Sequence, residues 1–305
     1  MLARLQQATT LALIAAALAW AWHFGASGRP LVAVVGFTLI LLGYALFLGG
    51  EFVLVAAVHG DDAAPRASKT QLLRAWWGEV TSAPWVFCWR QPFRANAEPD
   101  HAATPGARRR GVVLVHGFVC NRGLWTPWLT RLRTRGQPFV AVNLEPVFGS
   151  IDHYPAIIEA AVRQLEITTG QAPVIVAHSM GGLAVRAWLD QFEADQRAHR
   201  IVTLGTPHHG TWLARFAFPP NARQMRVGNP WLRQLASREP PQRYARFTCF
   251  YSHCDNIVFP ASTATLPGAD NRHLDATAHI HMVSCAEAWA EVEHWLDPAS
   301  VPSPG

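Results

Sequence analysis

The chain has 305 residues, enough for one sizeable α/β domain and an appendage, and a formal net charge of +5. Half the residues are hydrophobic and 15% are charged, below the quarter or so usual in a soluble domain, and the apolar excess sits in the first sixty residues. The basic excess carries no aromatic interleaving and no nucleic-acid motif, which excludes a nucleic-acid partner and points to an anionic membrane surface or simple solvation. The five cysteines (Cys88, Cys120, Cys249, Cys254 and Cys285) have no zinc-like spacing, so no metal is expected. Cys249 and Cys254 can pair only if the backbone turns between them; free thiols in a reducing compartment are the reading adopted.

In chain order, residues 1–60 predict a transmembrane helical hairpin. Ala8–Phe24 is apolar and uncharged but short for a span, and reads also as a secretory signal. Leu31–Gly50 is a twenty-residue uncharged run, which at helical rise crosses a hydrocarbon core of about 30 Å. Arg4 precedes the pair, and Arg66, Lys69 and Arg74 follow it, so the positive-inside rule places both ends in the cytoplasm. If Leu31–Gly50 alone spans, the remainder faces outward instead. Residues 61–110 read as a connector, rich in tryptophan (Trp76, Trp77, Trp85, Trp89) and ending on Arg108-Arg109-Arg110. Those indoles suit either a headgroup layer or the underside of a sheet.

From Gly111 the pattern becomes regular. Strands are expected at Val112–Val115, Phe139–Val142, Val174–Ala177, Ile201–Leu204 and Thr248–Tyr251. Helices are expected at Ile151–Thr169, stopped by Gly170, at Ala184–Phe192, and as a closing helix at His281–Leu296. Strands alternating with helices predict a mostly parallel sheet with helices on both faces, over residues 111–298. Residues 211–244, carrying Trp212, Phe216, Phe218 and Trp231, read as a lid or as a packed insertion. Residues 299–305 are expected to be a disordered tail.

The chemistry concentrates in Val174-Ile-Val-Ala-His178-Ser179-Met180-Gly181-Gly182-Leu183, a β-branched run feeding a small-x-Ser-x-Gly turn ahead of a helix. That context holds a serine on a strained elbow, its hydroxyl raised over the sheet edge at the positive end of the helix. His116-Gly117-Phe118 follows the first strand of the domain. In a serine hydrolase such a loop offers one oxyanion amide, here that of Phe118, and the residue after the nucleophile, Met180, offers the other. Gly117 lets the backbone approach without a Cβ in the way.

These stretches, with Thr203-Leu-Gly-Thr-Pro-His208-His209-Gly-Thr211 and Asp255-Asn-Ile-Val-Phe-Pro260, resemble the α/β-hydrolase superfamily, in particular its bacterial lipase and esterase branch. The resemblance covers Gly111–Leu296; the N-terminal hairpin lies outside it and departs from the secreted lipases. It implies the α/β-hydrolase fold and a catalytic order of serine, acid, histidine. Ser179 is then the nucleophile and Asp255 the acid, with Asp270 (in a surface-turn sequence) and Asp275 as rivals. His279, after a small residue and two dozen positions beyond Asp255, is the base, with His281 as the alternative. His116, Gly117, His208 and Trp212 are expected around the substrate pocket, and no cofactor is implied. The implied substrate is a carboxylic ester, lipid-like because of the anchor, and the implied location is the bacterial inner membrane with the catalytic domain in the cytoplasm. An acyltransferase with the same triad, or a non-catalytic lipid-binding, transport or scaffold component, are the alternatives. Oligomeric state is not legible.

Overall fold

The computed structural model describes residues 1–59, 62, 65–102 and 109–296. The expected tail at 299–305 and Arg108 of the connector lie outside these residues.

The N-terminal segment is helical. Helices α1 (Leu2–Ala26) and α2 (Pro30–Leu42) form a hairpin, and α3 (Tyr44–Ala57) follows. Among the described residues α1 is the one unbroken helix long and apolar enough to cross a membrane. The uncharged run expected as one span, Leu31–Gly50, is instead divided between α2 and α3, which are bent by 52°. The break falls at Gly43, the type least able to hold a helix short of proline. The region expected to be a connector is also structured. Helix α4 (Lys69–Pro84) starts on a reciprocal capping box between Ser68 and Gln71, then runs through a π-helical turn, Trp85–Arg90, into the short α5 (Gln91–Phe93). Trp76 Nε1 donates to the Ala45 carbonyl at 2.9 Å, and Tyr44 Oη to that of Val80 at 2.8 Å, so α3 and α4 are clamped together.

The rest of the chain supplies β1 (Val112–Val115), α6 (Thr126–Thr134), β2 (Phe139–Ala141), α7 (Pro155–Thr169), β3 (Val174–His178), α8 (Met180–Gln191), β4 (Arg200–Leu204), α9 (Pro220–Gln224), α10 (Pro230–Arg238), β5 (Phe247–Tyr251), β6 (Asp270–His273) and α11 (Ala286–Leu296). The strands form one parallel sheet in the order β2-β1-β3-β4-β5-β6. Side chains of a strand alternate between faces, and here both faces are buried. Val113, Val115, Ile175 and Ala177 pack against α7 and α8. Val112, Leu114, Val174 and Val176 pack against α6 and α11. The fold is therefore the doubly covered parallel sheet that the alternating pattern predicts.

Two further elements differ from expectation. Asp270–His273 is the edge strand β6, although its sequence is wholly polar. An edge strand needs little apolar surface; charge holds this one, with Arg272 Nη1 on Glu291 of α11 at 2.7 Å. The closing helix is split into a 3-10 turn at His281–Ser284 and then α11. Before that turn the backbone is drawn toward α4, where the Ile280 and His281 amides find a side-chain acceptor.

Residues 211–244 pack as an insertion. Ala214, Ala222, Met225 and Leu232 join the core beneath α8, while Phe216 and Phe218 stay exposed. The anchor is a buried ion pair in which Arg186 Nε of α8 meets Glu239 Oε1 at 2.9 Å. Tyr244 Oη donates to Glu239 Oε2 at 2.6 Å, and Arg186 Nη1 donates to the His208 carbonyl at 2.7 Å. Replacing one member strands a charge in a medium that solvates it poorly. Arg186→Met is expected to lower stability by about 3–5 kcal/mol, read as a fall in the thermal unfolding midpoint of detergent-solubilised protein; an unchanged midpoint would mean the pair holds nothing.

Candidate active site

β3 runs straight into the elbow. Ser179 has φ 55° and ψ −129°, a left-handed φ that a side-chain-bearing residue adopts only under constraint from its surroundings. Its amide donates to the Leu204 carbonyl at 2.8 Å, and α8 begins at the next residue. Crowding explains the glycines. A Cβ on Gly181 would stand 2.7 Å from the carbonyl oxygens of Val115 and His116, and one on Gly117 would stand 2.7 Å from the Ser179 Cβ. Met180 is the first residue of α8, where amides have no intrahelical acceptor, so its N–H is left without a partner inside the helix.

The loop after β1 is shaped by His116. Its Nε2 accepts from the Leu144 amide at 3.0 Å, so its proton sits on Nδ1, which donates to the Gly117 carbonyl at 2.9 Å. Burial pushes its pKa down to about 4, keeping the ring neutral. Phe118 follows with its ring edge-on to Phe148, at 6.0 Å between centroids.

The carboxylate of Asp255 is buried and fully engaged. Oδ1 accepts from the Ile257 and Val258 amides, both at 2.8 Å, and Oδ2 lies 2.9 Å from His279 Nδ1. Burial opposes charge on His279, but the Asp255 carboxylate, helped by Glu79 and Glu51, outweighs it and raises the imidazole pKa above its ordinary value of about 6.5. His178 lies beside this ring, tilted to it by 50° with 4.6 Å between centroids, and its Nε2–H donates to the His279 carbonyl at 3.1 Å. Burial first, then the neighbouring imidazoles, hold His178 well below the usual imidazole range, so it stays neutral.

The rival residues lie elsewhere. Asp270 pairs with Arg272 at 2.7 Å on the edge strand, and exposed Asp275 accepts from Gln71 at 2.6 Å. The His281 ring turns away from Asp255, against Gly78 of α4.

Three residues to which the sequence alone assigns no role, Asn256, Glu51 and Glu79, complete the setting. Asn256 Oδ1 accepts from the His279 amide at 3.2 Å, while its Nδ2 donates to Glu51 of α3 at 2.7 Å. Glu79 of α4, 3% exposed, accepts from the Ile280 amide at 3.0 Å and the His281 amide at 3.2 Å. Burial raises its pKa to about 7, against the pull of His279 and these amides. One signal existed for Glu51, a carboxylate within an apolar helix. Glu79 lies in a polar stretch and carried none.

A cavity of about 470 Å³ opens beside Ser179 and His279, within the usual range for ligand pockets. Phe118, Thr211, Met225, Ile257 and Val258 form its inner side, and residues of α1–α4 the outer. None of the four residues expected around the pocket, His116, Gly117, His208 and Trp212, lines it. His116 lies beneath its loop; Trp212 stacks on Phe259, 5.8 Å between centroids. His208 is buried between sheet and insertion, with Nε2 3.2 Å from Thr203 Oγ1 and 3.6 Å from Cys249 Sγ. Gly117 backs the serine. Among the described residues no group of three His, Cys, Asp or Glu side chains is placed to hold a metal.

A family model described as the alpha/beta hydrolase family matches residues 112–302, more than half of the chain. The chain belongs to the alpha/beta hydrolase family. Solved structures agree on the fold of this hydrolase. The mature form of the Bacillus licheniformis lipase BlEst2 is 18% identical, with a TM-score of 0.56 over 65% of this chain and 96% of that one. Aspergillus fumigatus lipase B is 19% identical, with a TM-score of 0.57 over 71% of this chain and 62% of that one. No match is found among curated proteins.

Glu79→Gln keeps the shape of the acceptor for the Ile280 and His281 amides and removes the charge facing His279. The His279 titration midpoint, followed by NMR of imidazole-labelled protein, is expected to move to lower pH. An unmoved midpoint would show that the two groups do not interact.

Proposed function

We propose that the hydrolase is a membrane-anchored serine esterase that cleaves carboxylic esters of lipid-like substrates through an acyl-enzyme. The observation that carries this is the buried 2.9 Å contact of Asp255 with His279, in one cavity with a serine held at positive φ. With its Nδ1–H donated to Asp255, neutral His279 has Nε2 free to take a proton. Ser179 Oγ attacks the ester carbonyl carbon as His279 accepts its proton, and the amides of Phe118 and Met180 meet the oxyanion. One such donor is worth about 3 kcal/mol of activation free energy. The imidazolium then protonates the leaving alcohol. Water repeats the cycle on the acyl-enzyme and frees the acid.

The apolar helix α1, the exposed leucines and valines of α2 and α3, and exposed Trp77, Trp85 and Trp89 support membrane anchoring. The basic residues on both flanks of the helical segment favour the cytoplasmic face of the bacterial inner membrane. The two lipase-named structures support the lipid-like substrate class.

A fluorophosphonate probe on detergent-solubilised protein tests the reading. Wild type is expected to be labelled at Ser179, Ser179→Ala to lose label and about a millionfold in kcat, and His279→Ala to lose both, with His281→Ala retaining label. Folded wild type that takes no label would sink the enzyme reading and leave the non-catalytic one.

The pH profile is a second check. His279 must be neutral to act, and its pKa is raised, so kcat/KM is expected to fall as pH drops through a midpoint above about 6.5. An acid limb below that value would contradict the assignment of the base.

A further inference from the structure

The cavity beside Ser179 is not a property of the hydrolase domain alone. Its outer side is made by Leu13 of α1, Ile40 and Leu41 of α2, Phe47 and Leu48 of α3, and Phe87 of the π-helical turn. We propose that the N-terminal helices are the acyl-binding wall of the ester site, so that the same helices that meet lipid select substrates with a long acyl chain. The proposal rests on the esterase reading and adds which part of the molecule reads the substrate.

The spacing of the wall supports it. In α2 and α3 the cavity-lining positions are 40, 41, 44, 47, 48 and 51, which recur every three to four residues. They form one helical stripe that continues across the bend at Gly43 and ends on Glu51, the side chain bonded to Asn256. The outward positions Val34, Val35, Leu39, Leu42, Leu46 and Val53 are exposed and also apolar. α2 and α3 therefore present two apolar faces, one toward the site and one toward the surroundings. A helix serving only as a tether needs only the second.

The polar groups on the lining point to the same occupant. Tyr44 Oη is bonded to the Val80 carbonyl, Glu51 to Asn256, Glu79 to the Ile280 and His281 amides, and Thr211 Oγ1 to the Ile257 carbonyl at 2.6 Å. Each of these is committed to the protein, and the unpartnered Nδ1 of His178 lies at the elbow itself, so beyond the elbow the cavity offers a polar substrate little in exchange for its water. An alkyl chain loses nothing there and gains burial of every methylene. The wall is also fixed in place, because the Glu51–Asn256–His279 chain of hydrogen bonds ties α3 to the loop that carries the imidazole. A chain lying along α2 and α3 would meet the serine with its carbonyl end.

The test narrows the wall in the full-length protein. Ile40→Trp and Leu48→Trp, made separately, are assayed in micelles with p-nitrophenyl acetate and p-nitrophenyl palmitate, alongside fluorophosphonate labelling of Ser179. The expected result is a fall of about tenfold or more in the ratio of kcat/KM for palmitate to that for acetate, with Ser179 still taking label. Should a tryptophan variant fail to take label, Ile40→Ala and Leu48→Ala carry the same test. They remove methylenes that touch the chain and are expected to lower palmitate turnover selectively, by about tenfold at the most favourable position. Labelled variants that lose both esters equally, or that keep the wild-type palmitate preference, would overturn the proposal while leaving the esterase intact. Wild type that neither takes label nor cleaves acetate would instead remove the esterase reading, and the wall with it.

Discussion

Asn256 is the joint on which the molecule turns. Its Oδ1 accepts from the backbone of His279 and its Nδ2 donates to Glu51, so one amide side chain links the loop of the site to the N-terminal helices. A carboxylate among apolar helices is costly to bury unless it finds a donor, and Glu51 finds this one. The cost of leaving it unpaired gives the docking of α3 a defined register. Glu79 repeats the arrangement from α4 by taking the two amides that follow His279. The loop carrying the imidazole is thus held from the helical side by two buried carboxylates and from the sheet side by His178 and Asp255.

The other strained point is the elbow. A serine at positive φ costs on the order of 1–3 kcal/mol and persists only where its surroundings leave no alternative. Here β3 enters from the middle of a sheet buried on both faces, and α8 leaves over a core of leucine, valine and tryptophan. Neither can shift to relax the turn without opening close-packed interior. The Arg186–Glu239 pair pins the far side of α8 to the insertion, so the helix that begins at Met180 is fixed on both flanks.

Family membership is a statement about the scaffold, and the same scaffold serves many reactions. The N-terminal helices are where this hydrolase is particular. They lie outside the stretch that matches the family, and they close over the serine as one side of its cavity. With the acyl-binding wall proposed above, substrate choice would depend on helices that have no part in the sheet.

The sequence by itself determined what is local. Five strands were legible because each is a β-branched or aromatic run, and the elbow because serine between small residues at a strand–helix junction has few other physical uses. The uncharged N-terminal runs were legible by composition. What stayed hidden was set by contacts between distant residues. The polar edge strand β6 has no apolar period because its stability comes from pairing to β5 and from charges on α11. The bend at Gly43 is invisible to hydropathy, which counts apolar residues and not direction. His116, His208 and Trp212 sit in suggestive motifs, yet their side chains turn toward the loop backbone, the core and Phe259. Which of His279 and His281 faces Asp255 depends on how one loop is drawn between α4 and the sheet. Glu51 and Glu79 reach that loop from more than two hundred residues away. Only the folded chain brings them there, because burying two carboxylates requires the very amides that the loop presents.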